Sequence, residues 1–347
     1  MQKYKVYICN SNSYININTL YKLAKIKTTI NKILKIINDI QVSIIVPNYN
    51  HGKYIKQRLD SIINQTFTDY ELILLDDYSS DESRDILLSY KNNPHVSHII
   101  LNTQNSGSPF LQWEKGIKLA RGKYIWIAES DDYADIHFLE YTVKALTLHP
   151  QAHICYTGSF IIDTNGNKIN DPWFDQWIED DSINIFPSNK HLSTHMLESN
   201  TIYNASMVLF KKEGCLSSIT QAYTQMKYAG DWLFWIEQIR KGNVIEIHKK
   251  LNYFRKHAEN TTSKGDNNGN AIEEIAFIKN FLYHNVPLSY KKRLIDKARF
   301  YYNVSCLTVS RQGNPDLLQT IAKRAKVYKI HYIIGSKTKG YKRKYGE

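Results

Sequence analysis

Between Gln41 and Pro150 the chain alternates short apolar runs with stretches of helical spacing, and this alternation constrains the fold most. "VSIIVP" (42–47) is short, β-branched and continuously apolar, as a strand covered on both faces must be. "KYIKQRLDSIINQ" (53–65) follows, with Ile55, Leu59, Ile62 and Ile63 at helical spacing. The unit repeats through the strand "YELILLDD" (70–77) and the helix "DESRDILLSYK" (81–91), for which Asp81 is a candidate N-cap. It repeats again through "VSHIIL" (96–101), the helix "PFLQWEKGIKLA" (109–120), Gly122 as a C-cap, and "KYIWIAE" (123–129). The pattern predicts an α/β fold, a mostly parallel sheet with helices on both faces. Ligands of such sheets bind beyond the carboxyl ends of the strands. Asp76, Asp77, Glu129 and Asp131 all fall there.

After Pro150 the rhythm changes. "HICYTGSFIID" and "TNGN" predict a hairpin, "IYNASMVLF" (202–210) a strand, "DWLFWIEQIRKG" (231–242) a helix, and "VIEIHKKLNYFRKH" two short strands. From Asn270 onward the periodicity is helical. Residues 1–41 form a separate extension whose apolar positions, Leu20 to Ile37, alternate with lysines. Such a helix can lie on an anionic membrane surface or pack its apolar face on the main domain.

The 347 residues carry a net charge of +12, much of it in the tail, which favours an anionic partner. Four cysteines, Cys9, Cys155, Cys215 and Cys306, make no C-x-x-C pair, so neither a zinc site nor a disulfide framework is expected. No stretch has the apolar core of a signal peptide or the length of a membrane span, so a cytoplasmic protein is expected, peripheral on the membrane if the basic helix binds it.

The most informative stretch is "GKYIWIAESDDYAD" (122–135), where a strand delivers Glu129, Asp131, Asp132 and Asp135 with almost nothing basic beside them. Acidic side chains at i and i+2 can converge on one hard cation, magnesium or manganese, whose remaining positions take water and substrate phosphates. The alternative is a solvated acidic turn capping the helix that starts near Asp135.

In "SIIVPNYNHGKYIKQRLDSIINQTFTDYELILLDDYSSDES" and "NSGSPFLQWEKGIKLARGKYIWIAESDDYAD" the chain resembles the family 2 glycosyltransferases, which have the GT-A fold. The resemblance runs well over 42–150, thins through "GDWLFWIEQ" and "YFRKHAENTTS", and is absent from the first forty residues and the C-terminal helices. It implies a Rossmann-like GT-A domain over 42–263, with a nucleotide-sugar half (42–150) and an acceptor half (151–263), followed by a basic helical region (264–347). Pro47, Tyr49 and Asp77 match positions that hold the base and ribose, with Tyr49 offering a stacking face and Asp77 an acceptor for an imide N–H such as that of uracil.

Asp131 matches the metal ligand of the family's Asp-x-Asp signature. Glu129 replaces its first Asp, and Asp132 is a second candidate for the ion. Asp231 matches the catalytic base, although Gly230 stands where the family often has an acidic residue. Arg255 and His257 match a segment that closes over the diphosphate, His257 completing the metal shell. The loop "AENTTSKGDNNGN" after it reads as a lid. Trp173, Phe174 and Trp177 are a candidate acceptor platform, or a hydrophobic cluster under a long loop.

The resemblance implies a metal-dependent, inverting transfer of sugar from a nucleoside-diphosphate donor, uridine diphosphate being the expected carrier. The expected acceptor is a hydroxyl of a saccharide or lipid-linked saccharide. Nucleic acid is not an expected partner. A sugar-phosphate nucleotidyltransferase is disfavoured because "PNYNHGKY" lacks a glycine-rich basic loop, and a dinucleotide oxidoreductase because no G-x-G-x-x-G follows the first strand. A non-catalytic basic module gives no reason for acids at 77, 131 and 231.

Overall fold

The structure, a computed structural model, describes residues 40–171, 177, 179–216, 221–257 and 270–310, together with 21, 22 and 24–26. Most of the N-terminal extension, Trp173 and Phe174, the loop after His257 and the basic tail beyond 310 lie outside the described residues.

The first apolar run becomes β1 (Val42–Asn48) and the second β2 (Tyr70–Asp76), and every residue of both is buried. With β3 (Val96–Leu101) and β4 (Tyr124–Ile127) they form a parallel set in which Ile45 stands opposite Ile73 on one side and Ile127 on the other. Strand alternation splits their side chains between two cores. Ile45, Ile73, Leu75, Ile125 and Ile127 face α3 (Pro109–Leu119), meeting Phe110, Trp113 and Ile117. Ile44, Val46, Leu72, Leu74 and Trp126 face the other way, against Ile55, Leu59 and Ile62 of α1 (Gly52–Ile63) and Phe138 and Leu139 of α4 (Phe138–Leu148). Each such side chain contributes about 1.5–3 kcal/mol by leaving water, which is why a one-residue slip of register is not tolerated. The shorter α2 (Ser83–Ser89) adds Leu87 to the second core.

Beyond β4 the sheet turns mixed. Among the described residues it contains nine strands, in the order β3-β2-β1-β4-β8-β6-β9-β5 with β7 paired to β9. The added strands are β5 (Tyr133–Ala134), β6 (Ala152–Ile162), β7 (Ile183–Phe186), β8 (Val208–Lys211) and β9 (Asn243–Arg255). β8 runs antiparallel to β4 and β6, β9 parallel to β6, and β5 and β7 antiparallel to β9. The short α5 (Ser188–Thr194), then α6 (Gly230–Ile239) and α7 (Asn270–Asn285), pack on the first core, and α8 (Tyr290–Ser310) packs behind α7. Among the described residues no helix is long and apolar enough to cross a membrane.

Four local readings change. The strand expected over 202–210 starts only at Val208, because Asn204 accepts the Ser206 N–H and sets a 3-10 turn at Ala205–Met207. The two short strands expected within 244–257 are one strand of 13 residues, its register broken opposite Thr157–Ser159. Gly122 does not end α3 in a left-handed conformation; an added Cβ would lie 2.4 Å from the Ser43 backbone nitrogen, so glycine is required by close approach. Asp81 bonds the Ser83 N–H with one oxygen and the Gly52 N–H of α1 with the other, at 3.0 and 2.7 Å, tying together the starts of two helices.

Candidate active site

The carboxyl ends of β1, β2 and β4 form one rim. Pro47 lies where β1 extends beyond its pairing with β4, so its missing N–H costs no ladder bond. Past β1 the chain turns at Asn50, which has a left-handed φ of 55°, and presents His51. Past β4 the acidic turn 129–132 is pinned from below by Arg58 of α1. This fully buried guanidinium donates to the Glu129 carbonyl and to Ser206 Oγ, both at 2.8 Å, and stands 3.8 Å from Asp132.

The acids of that turn part company. Asp132 is buried and points inward, accepting from the Arg255 N–H (2.9 Å), Asn204 Nδ2 (2.8 Å) and Ser206 Oγ (2.7 Å). It holds β9 and the 204–206 turn to the rim. Asp131 points to the cleft and meets His257 Nε2 at 2.9 Å. His51 completes the group: ligand atoms of His51, Asp131 and His257 all lie within 4.8 Å of one another. A hydrogen bond between His51 Nδ1 and Ser130 Oγ (2.8 Å) fixes that ring, and the two imidazoles meet edge to face at 5.7 Å. Burial alone would raise the Asp131 carboxyl, but the His257 hydrogen bond and the two nearby imidazoles outweigh it and hold it below the ordinary range.

Glu129 takes a different direction. Its Oε1 accepts from Trp113 Nε1 at 2.8 Å, and burial together with the charge of Asp131 pushes its carboxyl up to about 8. Arg255 is buried rather than open to the cleft: it donates to the carbonyls of Asp131 (2.7 Å) and Asp163 (2.9 Å) and to Gln57 (2.6 Å), and lies on the Tyr54 ring at 4.5 Å. These bonds make it a brace for the Asp131 turn, with its donors engaged inside the protein.

On the β1–β2 side Tyr49 is 49% exposed and Tyr78 51%, leaving two aromatic rings at the rim for stacking. Asp77 is buried, and its carboxylate already accepts from Asn102 Nδ2, the Ser106 N–H and hydroxyl, and Gln112 Nε2. Asp76 is taken up by Asn48 and the Ser79 N–H. Trp177 packs against the first core, its ring 6.0 Å from that of Tyr156.

Asp231 is the second residue of α6, two past the cap residue Ala229, so it lies in the first turn rather than at the cap. Asn200 Nδ2 donates to its Oδ2 at 2.9 Å. Burial is the main cause, and Glu274 a further one, of its carboxyl rising to about 7, where a carboxylate can take a proton at neutral pH.

His51 and Arg58 had the weakest signals. A lone histidine in a turn has no spacing partner; its mark was its position just past a strand on the rim that carries the acids. Arg58 falls on the stripe of Ile55, Leu59 and Ile62, and a charge on a buried stripe announces a buried partner.

The mixed sheet, with its acid-bearing rim at the end of β4, is the architecture of the GT-A glycosyltransferases. Residues 43–213 match the family model Glycosyl transferase family 2, and the chain belongs to that family. The poly(ribitol-phosphate) beta-glucosyltransferase of Bacillus spizizenii is 44% identical over 95 residues, 27% of this chain and 15% of that enzyme's length. S. aureus TarS, solved in complex with UDP, superposes with a TM-score of 0.59 at 18% identity, covering 82% of this chain and 80% of that one. The mannosyltransferase PcManGT of Pyrobaculum calidifontis, solved with GDP-Man and Mn2+, superposes at 0.53 with 16% identity, covering 85% and 83%. At these identities the two superpositions establish the fold.

Proposed function

We propose that this glycosyltransferase moves a sugar, with inversion, from a nucleoside-diphosphate donor to a hydroxyl of a saccharide or lipid-linked saccharide in cell-surface polysaccharide synthesis, working in the cytoplasm. The observation that carries the reading is the convergence of His51, Asp131 and His257 on the rim beside exposed Tyr49. Two imidazoles and one carboxylate suit a divalent transition ion better than magnesium, so of the two ions expected from the sequence manganese fits better. Held by His51, Asp131 and His257, such an ion would neutralise charge on the departing diphosphate. The UDP bound by TarS and the Mn2+ bound by PcManGT support the same assignment.

The chain's own residues do the rest. Tyr49 offers a stacking face to the base, and Asp77 keeps the 102–112 loop in place or exchanges one of its donors for the base imide. Glu129 hydrogen-bonds a donor hydroxyl, and Arg255 braces the backbone of the Asp131 turn. Asp231 accepts the proton of the attacking hydroxyl as the new glycosidic bond forms. A screen of nucleotide sugars for manganese-stimulated release of nucleoside diphosphate tests this. Asp131→Ala and His51→Ala should each weaken manganese-dependent UDP binding by about tenfold or more in calorimetry. Asp231→Asn should bind UDP normally and turn over at least about a hundredfold more slowly. Wild-type behaviour of all three variants would discard the assignment.

A further inference from the structure

The residue before Asp231 is where family 2 often carries an acid, and here the packing forbids one. A Cβ added to Gly230 would lie 2.5 Å from the Phe110 ring and 2.5 Å from the Tyr223 carbonyl oxygen, where α6 begins against the core. A carboxylate nevertheless reaches this turn, from a distant part of the chain. Glu274 of α7 accepts the backbone N–H of Lys227 at 2.7 Å with one oxygen, and those of Tyr228 and Ala229 at 2.9 and 2.8 Å with the other. Three donors at the mouth of α6 are thereby held by one side chain, and an anion is placed at the positive end of the helix. The same helix grips the opposite flank of Asp231. Lys279 donates to the carbonyls of Leu197 and Glu198, just before Asn200, whose amide bonds Asp231.

We propose that Glu274 is a positioning residue for Asp231: from outside the segment that matches the family model, it supplies the carboxylate that position 230 cannot carry, fixes the 227–229 turn and sets the field at the catalytic carboxylate. The inference rests on Asp231 being the base. Three other charges on the elements around Asp231 have partners of their own. Lys279 pairs with Asp296 of α8 at 3.0 Å, Glu198 pairs with Arg299 at 3.0 Å, and the Lys227 ammonium lies on the Tyr228 ring at 5.7 Å. Glu274 is the carboxylate whose charge, after burial, raises that of Asp231.

The test needs no acceptor. In the full chain labelled with 13C at aspartate carboxyls, the Asp231 signal is assigned by its loss in Asp231→Asn and titrated by NMR. Glu274→Gln should lower the Asp231 midpoint by at least about half a pH unit. Glu274→Asp, which keeps the charge but draws it back by a methylene, should shift it the same way by less. Both should bind UDP with manganese within about twofold of wild type, since the donor site is untouched. With UDP-N-acetylglucosamine or UDP-glucose as donor and water as the acceptor, kcat for UDP release should fall while donor KM holds. A folded Glu274→Gln or Glu274→Asp chain whose Asp231 titrates as in wild type overturns the inference. Full activity of Asp231→Asn would instead remove the base assignment and leave the measured Glu274–Asp231 coupling standing.

Discussion

A carboxylate raised to about 7 in the fold has consequences on two axes, activity and stability, and at Asp231 they run in opposite directions. In the unfolded chain the group titrates near 3.8, so between these values the folded state holds a proton that the unfolded state releases. Stability therefore falls as pH rises through that window, and the ionised base is a cost above it. Asp231→Asn should melt with wild type at about pH 4, the bottom of that window, and above it at mildly alkaline pH, by about 1–2 kcal/mol once solvent contact is allowed for. Thermal melts of both proteins at the two pH values measure this. Turnover should show an acidic limb near neutrality in wild type, as only the ionised form accepts a proton. At this scale the acids were legible in the sequence because carboxylates at strand ends keep a spacing. Their orientations were not: Asp131, Asp132 and Glu129 diverge because each is claimed by a different partner, His257, the Ser206–Asn204 turn and Trp113, which lie between 16 and 126 residues away in sequence.

Among elements, the first four strands and their helices were readable because each apolar run is covered on both faces and each helix carries one buried stripe. The second half was less so. β9 changes register in mid-strand and β8 is cut short by the Asn204 turn, and both features depend on neighbours rather than on local pattern. The joint between the halves is Arg58, which ties α1 to the acidic turn and to the 205–207 turn in front of β8, its guanidinium 5.6 Å from the Trp126 ring. Burial lowers its pKa to about 10, which still leaves it charged at neutral pH. Arg58→Met should strand the Glu129 carbonyl and the buried Asp132 carboxylate, at a cost of about 3–5 kcal/mol in denaturant unfolding. Arg58→Lys should recover little, because an ammonium cannot reach Glu129 and Ser206 with a fixed fork. Full recovery by lysine would mean that charge alone, not geometry, holds the turn.

For the whole molecule, the question is whether the C-terminal helices are an appendage or part of the catalytic body. Ile278, Leu282 and Tyr283 of α7 lie in the same apolar core as Trp232, Phe234 and Trp235 of α6, so the two share one cooperative packing unit. The polar counterpart is a buried cluster: Lys279 bonds both oxygens of Asp296 at 3.0 and 3.1 Å, Tyr283 Oη donates to Asp296 at 2.6 Å, and the Lys279 ammonium also reaches the Leu197 carbonyl. Removing one member of such a pair strands the other in a dry site, whereas removing both need not. Lys279→Met and Asp296→Leu should each destabilise by about 3–5 kcal/mol, and the double variant by less than either. If α7 belongs to the body, tryptophan fluorescence from the buried Trp113, Trp126, Trp232 and Trp235 and helical circular dichroism should give one coincident transition in wild type. In Lys279→Met both probes should shift together, and UDP release should fall with them as the 197–200 stretch loosens from Asp231. Two separated transitions, with the fluorescence midpoint unmoved by Lys279→Met, would make α7 and α8 an independent module and detach Glu274 from the chemistry at the mouth of α6.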